Sequence, residues 1–192
     1  SKDGDEGVRC AVTEILARRK IKEQGVVEAI IERLNDPSGK VRRATAGALG
    51  RVWVKEGALI EALVERLEDE DPEVRKAAVK TLGRLGAREE GVLQALRERL
   101  ADQEDVRCAA AEALAYLGIQ EERVLQVLLQ MLQNRQWSHV YGGAAAEALA
   151  HLGGREERAI LACIEMLGDE DRFVRETAAR TLGELGAREE RS

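Results

Sequence analysis

Chemistry in this sequence would have to come from very few residues. Only His139 and His151 could supply imidazole, and neither is followed by a glutamate. A metal site needs several His, Cys or carboxylate ligands converging on one point. His151 on a helix face therefore reads as a surface or packing residue. Cys10, Cys108 and Cys163 are odd in number and fall at no metal-like spacing. They read as small core or near-core side chains in a reducing compartment. No spacing suggests a Ser-His-acid or Cys-His nucleophile, and neither a Walker pattern nor GxGxxG is present. Gly83-x-x-Gly86 ends a helix rather than cradling a phosphate. Glu121-Glu122 and Glu189-Glu190 are first-turn acids of aliphatic helices. The sequence thus predicts no catalytic residue, no metal and no cofactor.

The elements that would position any site come from a repeat. Val74-Arg75-Lys76-Ala77-Ala78-Val79-Lys80-Thr81-Leu82-Gly83-Arg84-Leu85-Gly86 has copies along the whole chain. Val8-Arg9, Val41-Arg42, Val106-Arg107 and Val174-Arg175 open four of them. A further copy, Ala144 to Gly153, matches Ala109 to Gly118 and puts Tyr141-Gly142 in the Val-Arg place. A period of about 33 residues built from two helical patterns is the signature of an α-solenoid. The fold expected is all-α, a right-handed α-solenoid of antiparallel helical hairpins. One repeat domain would span residues 1–192, with repeats starting near residues 5, 38, 71, 103, 138 and 171.

Each Val-Arg helix has a candidate N-cap three residues before the Val position: Asp5, Ser38, Asp71, Ser138 and Asp171. Asp71-Pro72-Glu73 adds a proline where its missing N–H costs nothing and an acid near the positive helix end. Asp102 is expected to cap the fourth helix, across a loop one residue shorter. The partner helices are more aliphatic. Their stripes are Val26, Val27, Ile30, Ile31 and Leu34; then Leu59, Ile60, Leu63, Val64 and Leu67; then Val92, Leu93, Leu96 and Leu100. Val124, Leu125, Leu128 and Leu132 follow, and Ile160, Ile164 and Leu167 close the series. All keep the spacing of an apolar helical stripe, facing Val74, Ala78, Leu82, Leu85 and their equivalents.

The chain has 192 residues, 44% hydrophobic but only 3% aromatic, so Ala and Leu must fill closely stacked helices. A charged content of 34% keeps the outward faces solvated. The net charge of −6 argues against general nucleic-acid affinity. No apolar run approaches membrane-spanning length and no signal peptide is visible, so the expectation is a soluble, cytoplasmic protein. The chain begins on a Val-Arg helix and ends just after one, with the last repeat incomplete. A solenoid end without a polar cap exposes apolar surface, so a segment of a larger protein is expected, open to end-to-end self-association.

Leu67-Glu68-Asp69, then Asp71-Pro72-Glu73-Val74-Arg75, Ala-Ala and Leu-Gly-x-Leu-Gly, resemble HEAT repeats of the phycobilin-lyase type over essentially the whole chain. The resemblance implies a polar ladder between the Asp after the aliphatic helix and the Arg after Val. The candidates are Asp36 with Arg42, Asp69 with Arg75, Asp102 with Arg107, and Asp169 with Arg175, with bonding between adjacent repeats as a further option. The fifth copy has Asn134 and Gly142 at these places, so both halves of a pair are missing. Losing one alone would strand a charge at about 3–5 kcal/mol, whereas losing both is nearly neutral. A longer, irregular loop over residues 133–141 carries Trp137, His139 and Tyr141, with Trp137 expected to pack on its neighbours. Deoxyhypusine hydroxylases, built from similar repeats, bind iron through His-Glu pairs that this sequence lacks.

The same resemblance implies that the Val-Arg helices line the concave side. Residues two, six and ten beyond each Val then form one stripe per helix. Arg43 and Arg51, then Lys76, Lys80 and Arg84, make a basic half. Glu112 and Tyr116, then Glu147 and His151, make an acidic, ring-bearing half. The function expected is a non-catalytic scaffold binding a protein partner on this face. The alternatives are a bilin lyase-like subunit, or nucleic-acid binding through the basic patch.

Overall fold

Asp71 shows how the sequence starts a helix. Its carboxylate accepts the Glu73 N–H at 2.8 Å, and Pro72 occupies the first turn. The helix then runs Pro72–Leu85 until Gly86 takes the left-handed conformation at φ 66°, where a side chain would be strained. Asp5 and Asp171 cap in the same way, accepting from the N–H groups of Gly7 at 2.7 Å and Phe173 at 2.8 Å. Ser38 sits at its cap position without a capping bond, because its hydroxyl donates to Glu6 instead. Asp102 departs from expectation. The residue before the fourth Val-Arg helix is Gln103, whose carbonyl accepts the Arg107 N–H at 2.9 Å, and the Asp102 carboxylate is drawn to Arg75.

The computed structural model describes residues 5–18, 24–51, 57–133, 135–152 and 157–189, and every regular element among them is helical. The odd-numbered helices carry the Val-Arg motif or its equivalent: α1 Glu6–Arg18, α3 Gly39–Leu49, α5 Pro72–Leu85, α7 Glu104–Tyr116, α9 Arg135–Leu152 and α11 Arg172–Glu189. The aliphatic partners are α2 Gln24–Glu32, α4 Gly57–Glu65, α6 Glu90–Glu98, α8 Glu122–Gln133 and α10 Glu157–Met166. Short 3-10 turns at Arg33–Asn35, Arg66–Glu68 and Arg99–Ala101 extend α2, α4 and α6. Residues 1–113 and 114–192 form two compact units, the boundary falling within α7. A repeat touches only its neighbours, so an array can divide between compact units anywhere along its length.

In the first unit much of the expected stripes is core: Ile30, Leu34, Leu59, Leu63, Leu67, Val92, Leu93, Leu96 and Leu100 are buried, as are Val41, Val74, Ala78, Leu82 and Val106. Ile31, Ile60 and Val64 are only half-buried, and the side chains of Val26 and Val27 lie outside the described residues. In the second unit Val124, Leu125, Leu128 and Leu132 are buried as expected. Helix α10 is not as expected. It buries Ala162, Cys163 and Met166 and leaves Ile164 and Leu167 exposed, so its inward face is turned from the predicted stripe. Leu161 and Phe173 are exposed beside them, as are Val8 and Ile15 on α1.

The fifth copy also differs from the sequence reading. Residues 135–141 are the first turns of α9 rather than an irregular loop, and Ser138 lies inside the helix. No Gly or Pro interrupts residues 135–141, so nothing in that stretch breaks the helix. The glycines that follow serve packing: Gly142 is buried, and a Cβ on Gly143 would sit 3.1 Å from the Arg180 guanidinium. Tyr141 is half-buried on α9, and the side chains of Trp137 and His139 lie outside the described residues.

Arginines tie successive repeats together. Arg9 donates to both oxygens of Asp36, at 2.7 and 3.0 Å. Arg42 meets Asp69 at 2.8 and 2.7 Å, and Arg75 meets Asp102 at 2.9 and 2.8 Å. Each carboxylate lies 27 residues on, in the loop that leads into the next Val-Arg helix. The arginine also bonds the backbone of the loop leading into its own helix: Arg42 donates to the Asp36 and Pro37 carbonyls, and Arg75 to those of Asp69 and Glu70. Arg175 repeats this with the carbonyls of Asp169 and Glu170. The ladder thus joins each Val-Arg helix to the loop before the next one, and the expected carboxylate pairs of Asp36 with Arg42, Asp69 with Arg75 and Asp102 with Arg107 are not formed. A second set of arginines closes the 3-10 turns, Arg66 donating to the Leu34 carbonyl at 3.0 Å and Arg99 to that of Leu67 at 2.7 Å. These are the carbonyls that a helix end leaves without an internal partner.

The ladder carboxyls are acidic groups with depressed pKa values. For Asp36 the Arg9 hydrogen bond is the leading cause. For Asp69 and Asp102 burial pushes upward, but the bonds from Arg42 and Arg75, with backbone N–H groups and charge, bring the net shift below the ordinary value. A depressed folded pKa contributes stability that is complete above the unfolded value near pH ~4 and is lost as pH falls through the folded value. The urea midpoint should accordingly decline below about pH 5, and Asp69→Asn should flatten that decline. At neutral pH, Arg42→Ala should cost about 3 kcal/mol, whereas Arg42→Met combined with Asp69→Leu should recover most of it. Glycines give a second test. A Cβ on Gly83 would lie 2.9 Å from the Ala113 Cβ, while Gly183, its sequence equivalent, has no atom within 4 Å. Gly83→Ala should destabilise despite a helix-propensity gain of about 1 kcal/mol, and Gly183→Ala should stabilise by up to that amount; thermal melts of the two variants compare them directly.

Candidate protein-binding face

The helical offsets that define the stripes follow from 3.6 residues per turn, which stacks i, i+4 and i+8 on one side of a helix. In the first unit α1 packs on α3 and α3 on α5, so their stripes lie side by side. Arg43, Arg51 and Arg84 are exposed and border one depression of about 330 Å³. Lys40 and Glu14 stand at its edge, and Ala44, Gly47 and Ala48 line it with small side chains. No atom lies within 4 Å of where a Gly47 Cβ would be, so the space above it is open.

The expected basic residues differ in what they have left to offer. Lys76 is half-buried and bonded to Asp105 at 2.8 Å, with Glu73 at 3.5 Å. Burial opposes its charge, but the Asp105 bond and the two carboxylates raise its pKa overall. Lys76 is therefore committed to holding α7 against α5. Arg43 has only a long, exposed contact with Glu73 at 3.6 Å. Among the described residues no carboxylate stands within ion-pair distance of Arg51, Lys80 or Arg84.

Of the acidic, ring-bearing half, Glu112 is half-buried in the first unit. In the second unit Tyr116 and His151 meet edge to face, with ring centroids 5.3 Å apart and planes at 60°, a geometry aromatic rings favour. Glu147 is exposed on α9. The sequence stripes place Tyr116 and His151 at the same position of successive helices, but their direct contact follows only from packing.

A second depression, of about 440 Å³, lies along the ladder edge of the first unit. Its walls mix Arg42 and Arg66 with Asp36, Glu65, Glu68, Asp69 and Glu70. Those arginines already serve neighbouring repeats, so this edge has little cationic capacity to spare. Among the described residues no group of three or more His, Cys, Asp or Glu side chains could hold a metal. No described helix is long and apolar enough to cross a membrane.

With this geometry in place, the sequence matches known repeats. The HEAT-repeat profile matches residues 27–115 and 60–150, and a second one matches residues 160–188. The chain belongs to the HEAT-repeat family. No curated protein sequence matches it. Among solved structures it is similar to the CpcE–CpcF complex of phycocyanin lyase from Nostoc sp., at 26% identity and TM-score 0.62, covering 87% of this chain and 68% of that one. An engineered protein matches at 20% identity and TM-score 0.59, covering 97% and 93% of the two chains. A designed armadillo repeat protein in complex with the peptide (KR)4 matches at 19% identity and TM-score 0.61, covering 96% and 95%. The likeness to the last two is one of fold alone.

The three thiols of this HEAT-repeat chain are free. Burial pushes the Cys108 thiol up to about 11 and that of Cys163 upward as well. Since the thiolate is the reactive species, a thiol reagent should modify half-buried Cys10 first, and Cys108 and Cys163 only on unfolding. Mass spectrometry of samples labelled with and without denaturant checks this order.

Proposed function

We propose that this chain is a non-catalytic scaffold that holds a protein partner on the face of its odd-numbered helices. The observation that carries this reading is the division of labour among the arginines and lysines. Arg9, Arg42, Arg75 and Lys76 are bonded within the fold, while exposed Arg51 and Arg84 and half-buried Lys80 have no carboxylate of their own among the described residues. In the second unit the Tyr116–His151 ring pair and the exposed Glu147 offer a rigid aromatic body beside a charge. Tyrosine is a common interface anchor because its body is apolar and its hydroxyl can stay hydrogen-bonded. The CpcE–CpcF complex and the (KR)4 complex of an armadillo protein are assemblies of similar folds with polypeptide partners, which supports the reading.

Selection of displayed peptides on the parent chain tests it. Selected peptides should dissociate faster from Tyr116→Ala, or associate more slowly with the pair Lys80→Glu and Arg84→Glu. The tyrosine effect should be about 1–2 kcal/mol if it anchors the peptide. The charge pair should also flatten the salt dependence of association. Peptides that ignore both variants but are lost on changing exposed Gln94 and Gln126 of the even-numbered helices would place binding on the other face.

A second reading, a subunit of a bilin lyase, rests on the similarity to the phycocyanin lyase complex. Mixing the chain with free bilin and following visible absorption separates it from the first, because the scaffold reading expects no spectral change.

A further inference from the structure

We propose that the depression bounded by Lys40, Arg43, Arg51 and Arg84 in the first unit takes an acidic peptide segment in the extended polyproline II form, with carboxylates three residues apart. The inference rests on the scaffold reading and narrows the partner's chemistry at that face. Four cations line the depression against one carboxylate, Glu14, in a chain whose net charge is −6. The local sign is thus opposite to that of the molecule.

The cations are also available. Lys40 meets Glu6 at 3.2 Å and Arg43 meets Glu73 at 3.6 Å, and all four of these side chains are well exposed. Exposed pairs of this kind contribute little and exchange readily. Arg51 and Arg84 have no such pair to give up among the described residues. Guanidinium groups accept a carboxylate through two parallel bonds, as Arg42 already does with Asp69 inside the fold.

Shape points to a peptide backbone. Ala44, Gly47 and Ala48 form a floor without projecting side chains, and the room above Gly47 is open. Packed helices such as α3 and α5 lie about 8–10 Å apart. A polyproline II segment rises about 3.1 Å per residue with three residues per turn, so carboxylates three residues apart share one side about 9 Å apart and fall into step with Arg51 and Arg84. Nucleic acid fits less well. A duplex carries a charge every ~1.7 Å of its axis, and that density would press phosphates against Glu14 and Glu73 beside the cations.

Fluorescence anisotropy with labelled (GEG)4, whose carboxylates are three residues apart, tests the proposal against (GKG)4 and a pentathymidylate with four phosphates. The acidic peptide should bind and weaken with salt, while (GKG)4 should not compete for its site. Arg51→Glu with Arg84→Glu should weaken it by about tenfold or more. The same charge change at Arg88 and Arg123, which do not line the depression, should weaken it by about twofold or less, reflecting only long-range charge. Circular dichroism establishes that each variant is folded, and among the described residues neither the Arg51 nor the Arg84 side chain has a structural bond to lose. Equal weakening by the two charge-reversal pairs overturns the proposal, as does tighter binding of the pentathymidylate than of (GEG)4. If (GEG)4 fails to bind while selected peptides still depend on Tyr116, the acidic-segment inference falls and the scaffold reading stands. If no peptide depends on either half of the face, both fall.

Discussion

The fold depends on one arrangement, a guanidinium held at two ends. Arg42 grips the carbonyls of the loop before its own helix at Asp36 and Pro37 and reaches the Asp69 carboxylate in the loop before the next Val-Arg helix. Loop conformation and repeat spacing are therefore set by the same side chain. Such a group can be buried only because each of its faces meets an acceptor, since a half-satisfied buried charge is strongly destabilising. The carboxylate has a second duty, accepting the N–H two residues on, as Asp69 does from Asp71. That bond shapes the turn which delivers Asp71 to its cap position.

This geometry changes the meaning of the fifth copy. Read as one pair within a repeat, the loss of Asp at residue 134 and Arg at residue 142 would be a neutral double deletion. The observed step of 27 residues assigns them to different rungs. Counting on from Arg107 reaches Asn134, and counting on from Gly142 reaches Asp169. By that spacing alone residues 134 and 142 belong to different pairs, and residue 134 itself lies outside the described residues. The same region starts its helix at Arg135 rather than near residue 138, so a change in loop length accompanies a change in the polar contacts that shape the other loops.

Periodic features were legible in the sequence and contacts with backbone were not. The Val and Leu positions, the Asp5, Asp71 and Asp171 caps and the left-handed Gly86 each follow from a local rule, and each repeats often enough to be seen. Arg66 and Arg99 escaped notice because their acceptors are carbonyls, which every residue possesses. The register of the ladder escaped because both possible partners of each arginine are aspartates of the same motif, and only the stacking of repeats distinguishes them. On α10, Ile164 and Leu167 keep a helical spacing with Ile160, yet the face that is buried carries Cys163 and Met166. Hydrophobic spacing alone did not decide between the two faces. The predicted face residues divide for a related reason: Lys76 and Lys80 share one stripe, but only Lys76 finds Asp105 across the helix packing.

That division bears on function. A charge that holds two repeats together is already neutralised, and its energy is spent on the fold. Arg42 and Arg75 illustrate this, because their bidentate bonds leave no fork for a ligand. A charge on the outward side of the same helices has no such obligation, and its field acts on whatever approaches. The repeat therefore separates its two electrostatic tasks by helical angle. The residue after Val is drawn toward the next Val-Arg helix, while Arg51 and Arg84, ten beyond their Val, stay exposed; Lys76, two beyond Val74, is held by Asp105 instead. On the proposed reading, changes at Arg51 and Arg84 alter recognition and leave the ladder intact, in a protein whose overall charge is negative.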